Sequence, residues 1–235
     1  MSISKKHHYT PRYYLKRFEN NDGSMWRLDK DTNAIVKGNG TNFGYKKHWN
    51  NLRNPPTGYD RDWAEKRLSE IDGSASALVQ RIISGDLPRD ISAIACALSF
   101  MKNNQPRMKQ EIEKNNHQDI KNWSDDHWLL ARMKTSLEDW RNYVPIMYSV
   151  YVIDENDADS RFLASSNSLI EFENMPTKIW PISNKHCLFL SYDEKHRDVD
   201  PRFDVCDNEI VTGINRRTIE NSWQYLYSNS SDFSE

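Results

Sequence analysis

The first 18 residues of the chain join two adjacent histidines to a run of cations, with no acidic residue among them. His7 and His8 stand before a predicted helix, and the cations are Lys5, Lys6, Arg12, Lys16 and Arg17. Lys and Arg side chains neutralise phosphate groups, and the free amides at the start of a helix also attract anions. The predicted phosphate-binding residues of this segment are His7, Arg12, Lys16 and Arg17.

His8 is the candidate for proton transfer. A neutral imidazole with a pKa of about 6.5 can accept or donate a proton near neutral pH. Adjacent residues of an extended chain point to opposite sides, so at most one of His7 and His8 enters a given pocket. In the alternative interpretation, His8 binds the backbone and fixes the N-terminal segment.

The helix that follows has one apolar face. Thr10 and Pro11 predict its start, because Thr caps free amides and Pro suits the first helical position. Helical spacing places a core face at Pro11, Tyr14, Leu15 and Phe18, and an outer face at Arg12, Tyr13, Lys16 and Arg17. The outer face is consistent both with a solvated surface and with a phosphate-binding surface.

Two polar segments later in the chain are further candidates. Arg107 follows the turn at residues 103–106, near a predicted helix start, where a guanidinium can hold a phosphate with two hydrogen bonds. Its alternative role is an ion pair between helices. Residues 165–167 end a predicted strand, and Asn167 is a candidate phosphate ligand there, although a polar turn explains the segment equally well. A catalytic site would require His8, Arg107 and either Ser166 or Asn167 to meet in one pocket.

An aromatic loop offers a different kind of site. Residues 42–59 contain Phe43, Tyr45, Trp49 and Tyr59. Exposed Trp and Tyr side chains are frequent anchors of protein interfaces. This loop therefore predicts a protein-binding surface if its rings are not packed in the core.

Composition excludes several classes of protein. Lys and Arg number 32 against 34 Asp and Glu, giving a net charge of -2, so an anionic partner requires a local basic patch. The longest apolar stretch, about residues 91–101, is far shorter than the roughly 20 residues of a membrane span. The first residues lack the apolar run of a signal peptide. We expect a protein without membrane contact.

Cysteine spacing and motif content exclude further chemistry. Cys96, Cys187 and Cys206 are widely spaced without a Cys-x-x-Cys pair, which predicts reduced thiols in the cytoplasm and no structural zinc. The sequence has no phosphate-loop, dinucleotide-binding, serine-hydrolase or zinc-protease motif. We predict no cofactor and no metal site.

Periodicity predicts an α+β fold. Apolar positions recur with helical spacing through about residues 60–145, and short strand-like runs fill about residues 146–228. Residues 25–28 and 34–36 flank a polar turn and predict a small N-terminal hairpin. We expect one α+β domain over residues 1–228, with the helical middle packed on a mostly antiparallel sheet, and a flexible tail at residues 229–235.

Within these elements, several details are predicted. A fourth helix, capped at Ser124, has a buried stripe of Leu130, Met133, Leu137 and Trp140, and the last helix runs from Asn215 to about Leu226, with Asn215 as its cap. The hairpin either joins the main sheet or stands beside it.

The stretch HHYTPRYYLKRF (7–18) and the Trp-containing hairpin behind it resemble the opening of a prokaryotic and phage family known as domain of unknown function 4238, whose members begin HYxPxxYLxxF. Later stretches resemble the same family in the same order, namely residues 64–85, 99–109, 162–172, 179–190 and 213–228. The resemblance covers nearly the whole chain and implies a bacterial or phage source, but it implies no activity. Where the family has a Ser-Asp-Asn-Pro-like run, this chain has Ser165, Ser166, Asn167 and Ser168, so any chemistry carried by that Asp is absent here.

Two hypotheses for function follow. In the first, the protein is a nucleic-acid-directed effector, such as a metal-independent ribonuclease in which His8 and Arg107 are catalytic and RNA or another anion is the ligand. In the second, it is a non-catalytic module that binds a protein through the aromatic loop in phage-host conflict.

Overall fold

Strands and helices fill most of the chain in a computed structural model, which describes residues 6–115, 120, 122–154, 156–157 and 160–233. The helices are α1 (Arg12–Leu15), α2 (Trp63–Ile83), α3 (Ser92–Asn103), α4 (Pro106–Lys114), α5 (Asp125–Asp139) and α6 (Asn208–Asn221). The strands are β1 (Lys6–His8), β2 (Met25–Asp29), β3 (Ala34–Gly38), β4 (Tyr45–Lys47), β5 (Met147–Ile153), β6 (Ala164–Ser165), β7 (Ile170–Glu171), β8 (Thr177–Pro181), β9 (His186–Ser191), β10 (Arg202–Cys206) and β11 (Tyr225–Ser228).

The strands form three sheets, and their pairing confirms the predicted α+β class. A five-stranded sheet has the order β10-β5-β9-β8-β7, a four-stranded sheet has the order β3-β2-β11-β6, and β1 pairs with β4. Every pair is antiparallel except β10 with β5. The N-terminal hairpin is β2–β3, and its turn includes Asn33 at a left-handed φ of 55°. Instead of joining the larger sheet, the hairpin pairs with the last strand.

The helical middle packs on the five-stranded sheet as predicted. Residues of α2 and α3 share one core cluster with Tyr148 on β5 and Trp180 on β8, and they include Leu78, Val79, Ile82, Ile94, Ala95, Leu98 and Met101. Full burial of one such side chain stabilises the fold by about 1.5–3 kcal/mol. Tyr148 adds a polar link, because its hydroxyl donates to the carbonyl of Pro88 at 2.8 Å.

The predicted core face of the first helix is confirmed, whereas Tyr13 of the predicted outer face packs against the core and its hydroxyl is buried. Tyr14, Leu15 and Phe18 are buried, and the Tyr14 ring stacks on Trp180 with 5.8 Å between ring centroids. Arg12 is exposed on the opposite face. The N-terminal segment is therefore attached to the core through its aromatic residues.

The predicted stripe of α5 is shifted by about one residue. Leu129, Met133 and Ser136 are buried, whereas Leu137 is 39% exposed. Ser136 faces α3, where its carbonyl accepts a hydrogen bond from Ser99 Oγ at 3.0 Å. The stripe also ends earlier than predicted, since Trp140 begins a 3-10 turn after the helix.

The predicted last helix is wrong in both boundaries. It begins at Asn208, where Asp207 caps it by accepting from Ile210 N at 3.0 Å, and residues 225–228 form β11 instead of a helical end. Asn215 lies inside the helix and is not its cap. Its side chain accepts from Leu163 N at 2.9 Å and donates to Arg161 O at 2.8 Å. It therefore provides hydrogen-bond partners for backbone groups that lie just before β6.

Both ends of the chain reach beyond the described residues. Lys5 and residues 234 and 235, which belong to the predicted basic segment and the predicted tail, lie outside them. Of the tail residues, Asn229 accepts a hydrogen bond from Asn20 Nδ2 at 2.9 Å. Across the described ranges, each helix is too short or too polar to cross a bilayer.

Asp126 fixes the loop that follows β4. This buried carboxylate in the first turn of α5 accepts from the backbone amides of Arg53 and Asn54, both at 2.7 Å. Beneath the same loop, Leu52 is fully buried in a second cluster with residues of α2, α3 and α5. The position of residues 49–54 therefore depends on α5.

Replacing Asp126 by Ala leaves two backbone amides without their charged acceptor. We expect Asp126→Ala to lower the free energy of unfolding by about 1.5–3 kcal/mol. Urea denaturation measures this change. The control is Glu138→Ala, because Glu138 is exposed on the same helix and, among the described residues, forms an ion pair only with Lys134, at 3.7 Å. Equal effects of the two substitutions would contradict the assigned role of Asp126.

Asp72 on α2 predicts a dependence of stability on pH. Burial, together with repulsion from Glu65, raises the pKa of Asp72 from 3.8 to about 7. Between these two pH values the folded state holds a proton that the unfolded state has released, so the free energy of unfolding falls as pH rises from about 4 to 7.

We expect Asp72→Asn to flatten this profile and to unfold at a higher urea concentration than the wild type at pH 8. Denaturation curves between pH 4 and pH 8 test this, with the exposed turn residue Asp31 changed to Asn as the control. A profile for Asp72→Asn that runs parallel to the wild type would refute the assignment.

Candidate anion-binding site

Two helices and one loop enclose a cavity of about 210 Å³. Pro106 at the first position begins α4, and Ser124 caps α5 through a reciprocal pair of hydrogen bonds with His127. Residues with helical spacing on the facing sides of these helices form the walls. The lining residues are Trp49, Asn103, Gln105, Met108, Lys109, Ile112, Ile120, Trp123, Trp128, Ala131, Arg132 and Thr135.

Trp49 comes from the loop after β4 and closes one side of the cavity. The chain turns at His48, which has a left-handed φ of 56°. The indole Nε1 of Trp49 donates to the carbonyl of Asn104 at 2.8 Å, so the ring is fixed against the turn between α3 and α4. The cavity therefore depends on contacts between segments that are distant in sequence.

Arg132 on α5 carries a buried charge at this site. Its guanidinium lies 4.2 Å from the centroid of the Trp49 ring, and its Nη2 donates to Trp49 O at 2.6 Å and to Asn50 Oδ1 at 2.9 Å. Its Nε and Nη1 are buried and have no hydrogen-bond partner in the described part of the chain. Burial lowers the pKa of Arg132 to about 9, which leaves it protonated at neutral pH.

Within the described ranges no carboxylate forms a direct ion pair with Arg132; Asp125 attracts the charge from farther away and raises its pKa, but its oxygens bind Arg53 and Lys109. A buried charge without a direct ion pair is costly, and a bound anion relieves that cost. This guanidinium is therefore the strongest indication of a ligand in the molecule.

A second, more polar cavity of about 100 Å³ adjoins the first and shares Trp49, Lys109, Trp128 and Arg132 with it. Five cationic side chains and one carboxylate line it, namely Lys46, Lys47, Arg53, Lys109, Arg132 and Asp125. Positive charge is thus concentrated here, although the whole chain has a net charge of -2.

The single carboxylate at this second cavity is already shared. Asp125 accepts from Arg53 at 2.9 Å and from Lys109 at 3.0 Å, and the bond from Lys109 lowers the pKa of Asp125. Lys46 lies 4.4 Å from the centroid of the Trp49 ring, and desolvation and repulsion from Lys109 and Arg132 lower its pKa. An anion beside a flat apolar group is the ligand that this arrangement suits. Among the described residues, no three His, Cys, Asp or Glu side chains are grouped as metal ligands.

Asn50 links this site to the N-terminal strand. Besides accepting from Arg132, it donates from its backbone N to His7 Nδ1 at 2.8 Å and from its Nδ2 to Glu65 Oε2 at 2.8 Å. His7 is fully buried, which corrects its prediction as a phosphate ligand, because no ligand in solvent can reach the ring.

His8 lies nearer the surface than His7 but is also partly covered. Its ring lies 6.0 Å from that of Tyr45, and its Nε2 is buried without a hydrogen-bond partner in the part of the chain described. Burial lowers the pKa of His8, so the ring is neutral at pH 7. Its predicted role in proton transfer stays a prediction.

The cationic side chains of the first helix differ in how accessible they are to a ligand. Arg12 and Lys16 are exposed, as a phosphate-binding face requires. Arg17 instead donates to Tyr13 O at 2.6 Å and to Ser76 O at 3.0 Å, and this use of its donors corrects the prediction of a free phosphate ligand.

The other polar candidates lie apart. Arg107 forms an ion pair with Glu111 at 2.9 Å within α4, whereas Asn167 Nδ2 donates to Asn221 O at 3.3 Å beside α6. In the ranges that the structure covers, no contact joins either residue to the ring of His8. The turn before Arg107 does reach the N-terminal strand, where Gln105 Nε2 donates to Tyr9 O at 3.0 Å.

The aromatic loop does not present its rings as one surface. Phe43 is 4% exposed within the core, which corrects its prediction as an exposed anchor. Tyr59 is 41% exposed and packs edge-on against Trp63, and Tyr45 contacts His8. Of the four rings, Trp49 lines the cavity described above.

Sequence reasoning identified Trp49 but missed its partners. Lys46, Lys109, Trp128 and Arg132 come from three segments, and no short motif contains them. One signal was available: Trp128, Ala131, Arg132 and Thr135 repeat with helical spacing and give α5 a second face beside its core stripe. An Arg at the centre of such a face indicates a charged side chain that needs a hydrogen-bond acceptor or an anion beside it.

An inorganic anion provides the direct test of this site. We expect phosphate, at constant ionic strength, to raise the Tm of the wild type, because binding to the folded state stabilises it; ten-fold excess over Kd gives about 1.4 kcal/mol. This corresponds to about 3–6 °C for a chain of this size.

In Arg132→Met the phosphate-specific shift should disappear. The control Arg81→Met replaces an exposed arginine that pairs with Asp86, and it corrects for the general stabilising effect of phosphate. Identical shifts in Arg132→Met and Arg81→Met would exclude Arg132 as an anion ligand.

Comparison with known proteins places the chain in one family. No curated protein and no solved structure matches it. The family model described as protein of unknown function DUF4238 matches residues 6–171, which include the N-terminal motif and all the residues that line the two cavities. The family stretches predicted after residue 171 lie beyond that match. The chain belongs to the DUF4238 family of proteins of unknown function.

Proposed function

We propose that this protein binds nucleic acid and holds its phosphate groups at the Arg132 site. The observation that carries the proposal is the buried guanidinium of Arg132, which has two donors without a partner and no direct ion pair within the described residues. The buried charge destabilises the folded state, and a bound anion would offset that destabilisation.

Nucleic acid is favoured over other anions because charge and aromatic surface occur together. Lys46, Lys109 and Arg132 stand beside an apolar cavity that contains three Trp rings. Proteins that bind single strands combine cations for the backbone with rings for the bases. A simple anion would not require the apolar cavity.

The proposal includes a cytoplasmic setting and leaves cleavage as a further step. All three cysteines are free thiols, two of them buried, as expected of a reducing compartment. A ribonuclease activity of His8 is supported by its neutral ring but not by the covered Nε2. Unchanged cleavage of RNA by His8→Ala would remove His8 from such a mechanism.

The alternative, a protein-binding role in phage-host conflict, has less support. Its predicted surface required exposed aromatic rings, and Phe43 is buried while Trp49 is fixed by Asn104. Tyr59 is the most exposed of the predicted anchors and packs on Trp63. Binding of a protein with no effect of nucleic acid would favour this alternative.

Charge substitutions test where nucleic acid binds. We expect Lys46→Ala and Arg132→Met each to weaken binding of a short single-stranded RNA about 5- to 30-fold, since each removes about 1–2 kcal/mol of charge-assisted contact. Three phosphate contacts predict a slope of about -2 for log K against log salt, and each substitution should reduce that slope by about 0.7. Fluorescence anisotropy across a salt series measures both quantities.

Two matched variants locate the surface. Lys134→Ala removes an exposed cation from α5 outside the cavity and should bind as the wild type does. The double variant Arg12→Ala and Lys16→Ala tests the first helix. Loss of binding in that double variant, together with full binding by Lys46→Ala and Arg132→Met, would assign the phosphate contacts to the first helix and refute the Arg132 site.

A further inference from the structure

We infer that the cavity between α4 and α5 accepts one unpaired nucleobase, so that the ligand of this protein is single-stranded. The inference rests on the proposed function and names the form of nucleic acid. It depends on the rings, the size of the cavity and its position beside the cationic pocket.

Trp123 and Trp128 provide the aromatic surface of the cavity that is least covered by cations. Lys109 Nζ lies 5.7 Å from the centroid of the Trp128 ring. Arg132 and Lys46 already lie over the ring of Trp49, at 4.2 and 4.4 Å from its centroid. Trp123 and Trp128 meet edge to face, with 5.2 Å between centroids, and Trp123 is partly open to solvent. Such a corner offers one ring face to a flat group and a ring edge to its side.

The other walls are apolar, as a base face requires. Met108, Ile112 and Ala131 stand on the facing sides of the two helices, and Ile120 lies next to Trp123. The polar lining residues are Asn103, Gln105, Lys109, Arg132 and Thr135. The side-chain amides of Asn103 and Gln105 already donate to backbone carbonyls of the protein. Hydrogen bonds to the edge of a base are therefore few, and stacking with only weak sequence preference is expected.

The volume limits the occupant to one ring system. At about 210 Å³ the cavity is smaller than the roughly 300–1,000 Å³ of pockets for drug-sized ligands. A base pair or two stacked bases would exceed it. In a duplex, the faces of each base are covered by its neighbours, so only an unstacked base can enter.

The two cavities place ring and phosphate side by side. They share Trp49, Lys109, Trp128 and Arg132, so a base in the larger cavity has the cationic pocket next to it. A nucleotide carries its phosphate beside its base in the same way. Because the apolar cavity adjoins the cationic pocket, the pair of cavities matches the base and the phosphate of one nucleotide.

Three probes, compared at equal total phosphate concentration, test the inference by fluorescence anisotropy: a short single-stranded oligonucleotide, the same strand without bases, and its duplex. We expect the single strand to bind at least ten-fold more tightly than the other two. Trp123→Ala and Trp128→Ala should weaken its binding about 5- to 150-fold, the range for one stacked base. Trp128→Phe should recover most of the loss.

Control variants separate a lost base contact from a damaged fold. Trp26→Ala removes a ring of β2 that lies 5.8 Å from Lys37 and contacts no part of the cavity, and it should bind as the wild type does. The rise of Tm with inorganic phosphate should persist in Trp123→Ala and Trp128→Ala, because Arg132 and Lys46 remain in them.

The possible results distinguish a failure of the base site from a failure of nucleic-acid binding itself. Equal affinity for the single strand and the strand without bases, with no effect of Trp123→Ala or Trp128→Ala, would overturn the base site and leave the phosphate site in place. Tighter binding of the duplex would also overturn it. Failure of all three probes to bind would overturn the proposed function itself, and with it the base site.

Discussion

A buried guanidinium without a direct ion pair must be stabilised by neutral acceptors, and the residues around Arg132 provide them. Trp49 and Asn50 offer a carbonyl and an amide oxygen, and the Trp49 ring covers the charge from one side. This support holds only while the loop after β4 keeps its position. Contacts with α5, with the turn before α4 and with the N-terminal strand hold this loop in place. They therefore all keep the acceptors of Arg132 in position. A buried polar network of this kind is stable only when its members are present together.

The N-terminal motif of the family has a structural explanation in this network. Five of the six motif positions, Tyr9, Pro11, Tyr14, Leu15 and Phe18, are buried, and His8 at the first position is half-buried. The motif thus anchors the start of the chain to the core, and the carbonyls of His8 and Tyr9 accept hydrogen bonds from the turn that precedes α4. The motif residues therefore help to position the anion site, and they are not among the residues that line its two cavities. A segment rich in aromatic residues and cations can therefore have a structural role, even though its composition is typical of an anion-binding segment.

Local patterns in the sequence predicted the elements whose structure depends on their own residues. The stripes of α2 and α3, the faces of α1 and the hairpin turn at Asn33 follow from spacing and turn preference. The boundary of α6 did not, because Asp207 and Asn215 are both good caps in sequence and only the pairing of β11 decides between them. The site was less predictable still. Trp49 was identified from its residue type, whereas Arg132 became a candidate only through contacts with residues 49 and 50, more than 80 positions away.

The four-stranded sheet imposes an order on synthesis. Its two inner strands are far apart in sequence, since β2 covers Met25–Asp29 and β11 covers Tyr225–Ser228. While the ribosome is still adding residues, β2 can pair only with β3 and exposes its other edge to any extended segment nearby. Closing so long a loop is slow, because its entropy must be lost before the new hydrogen bonds form. The four-stranded sheet can therefore form only after residues 225–228 have been synthesised.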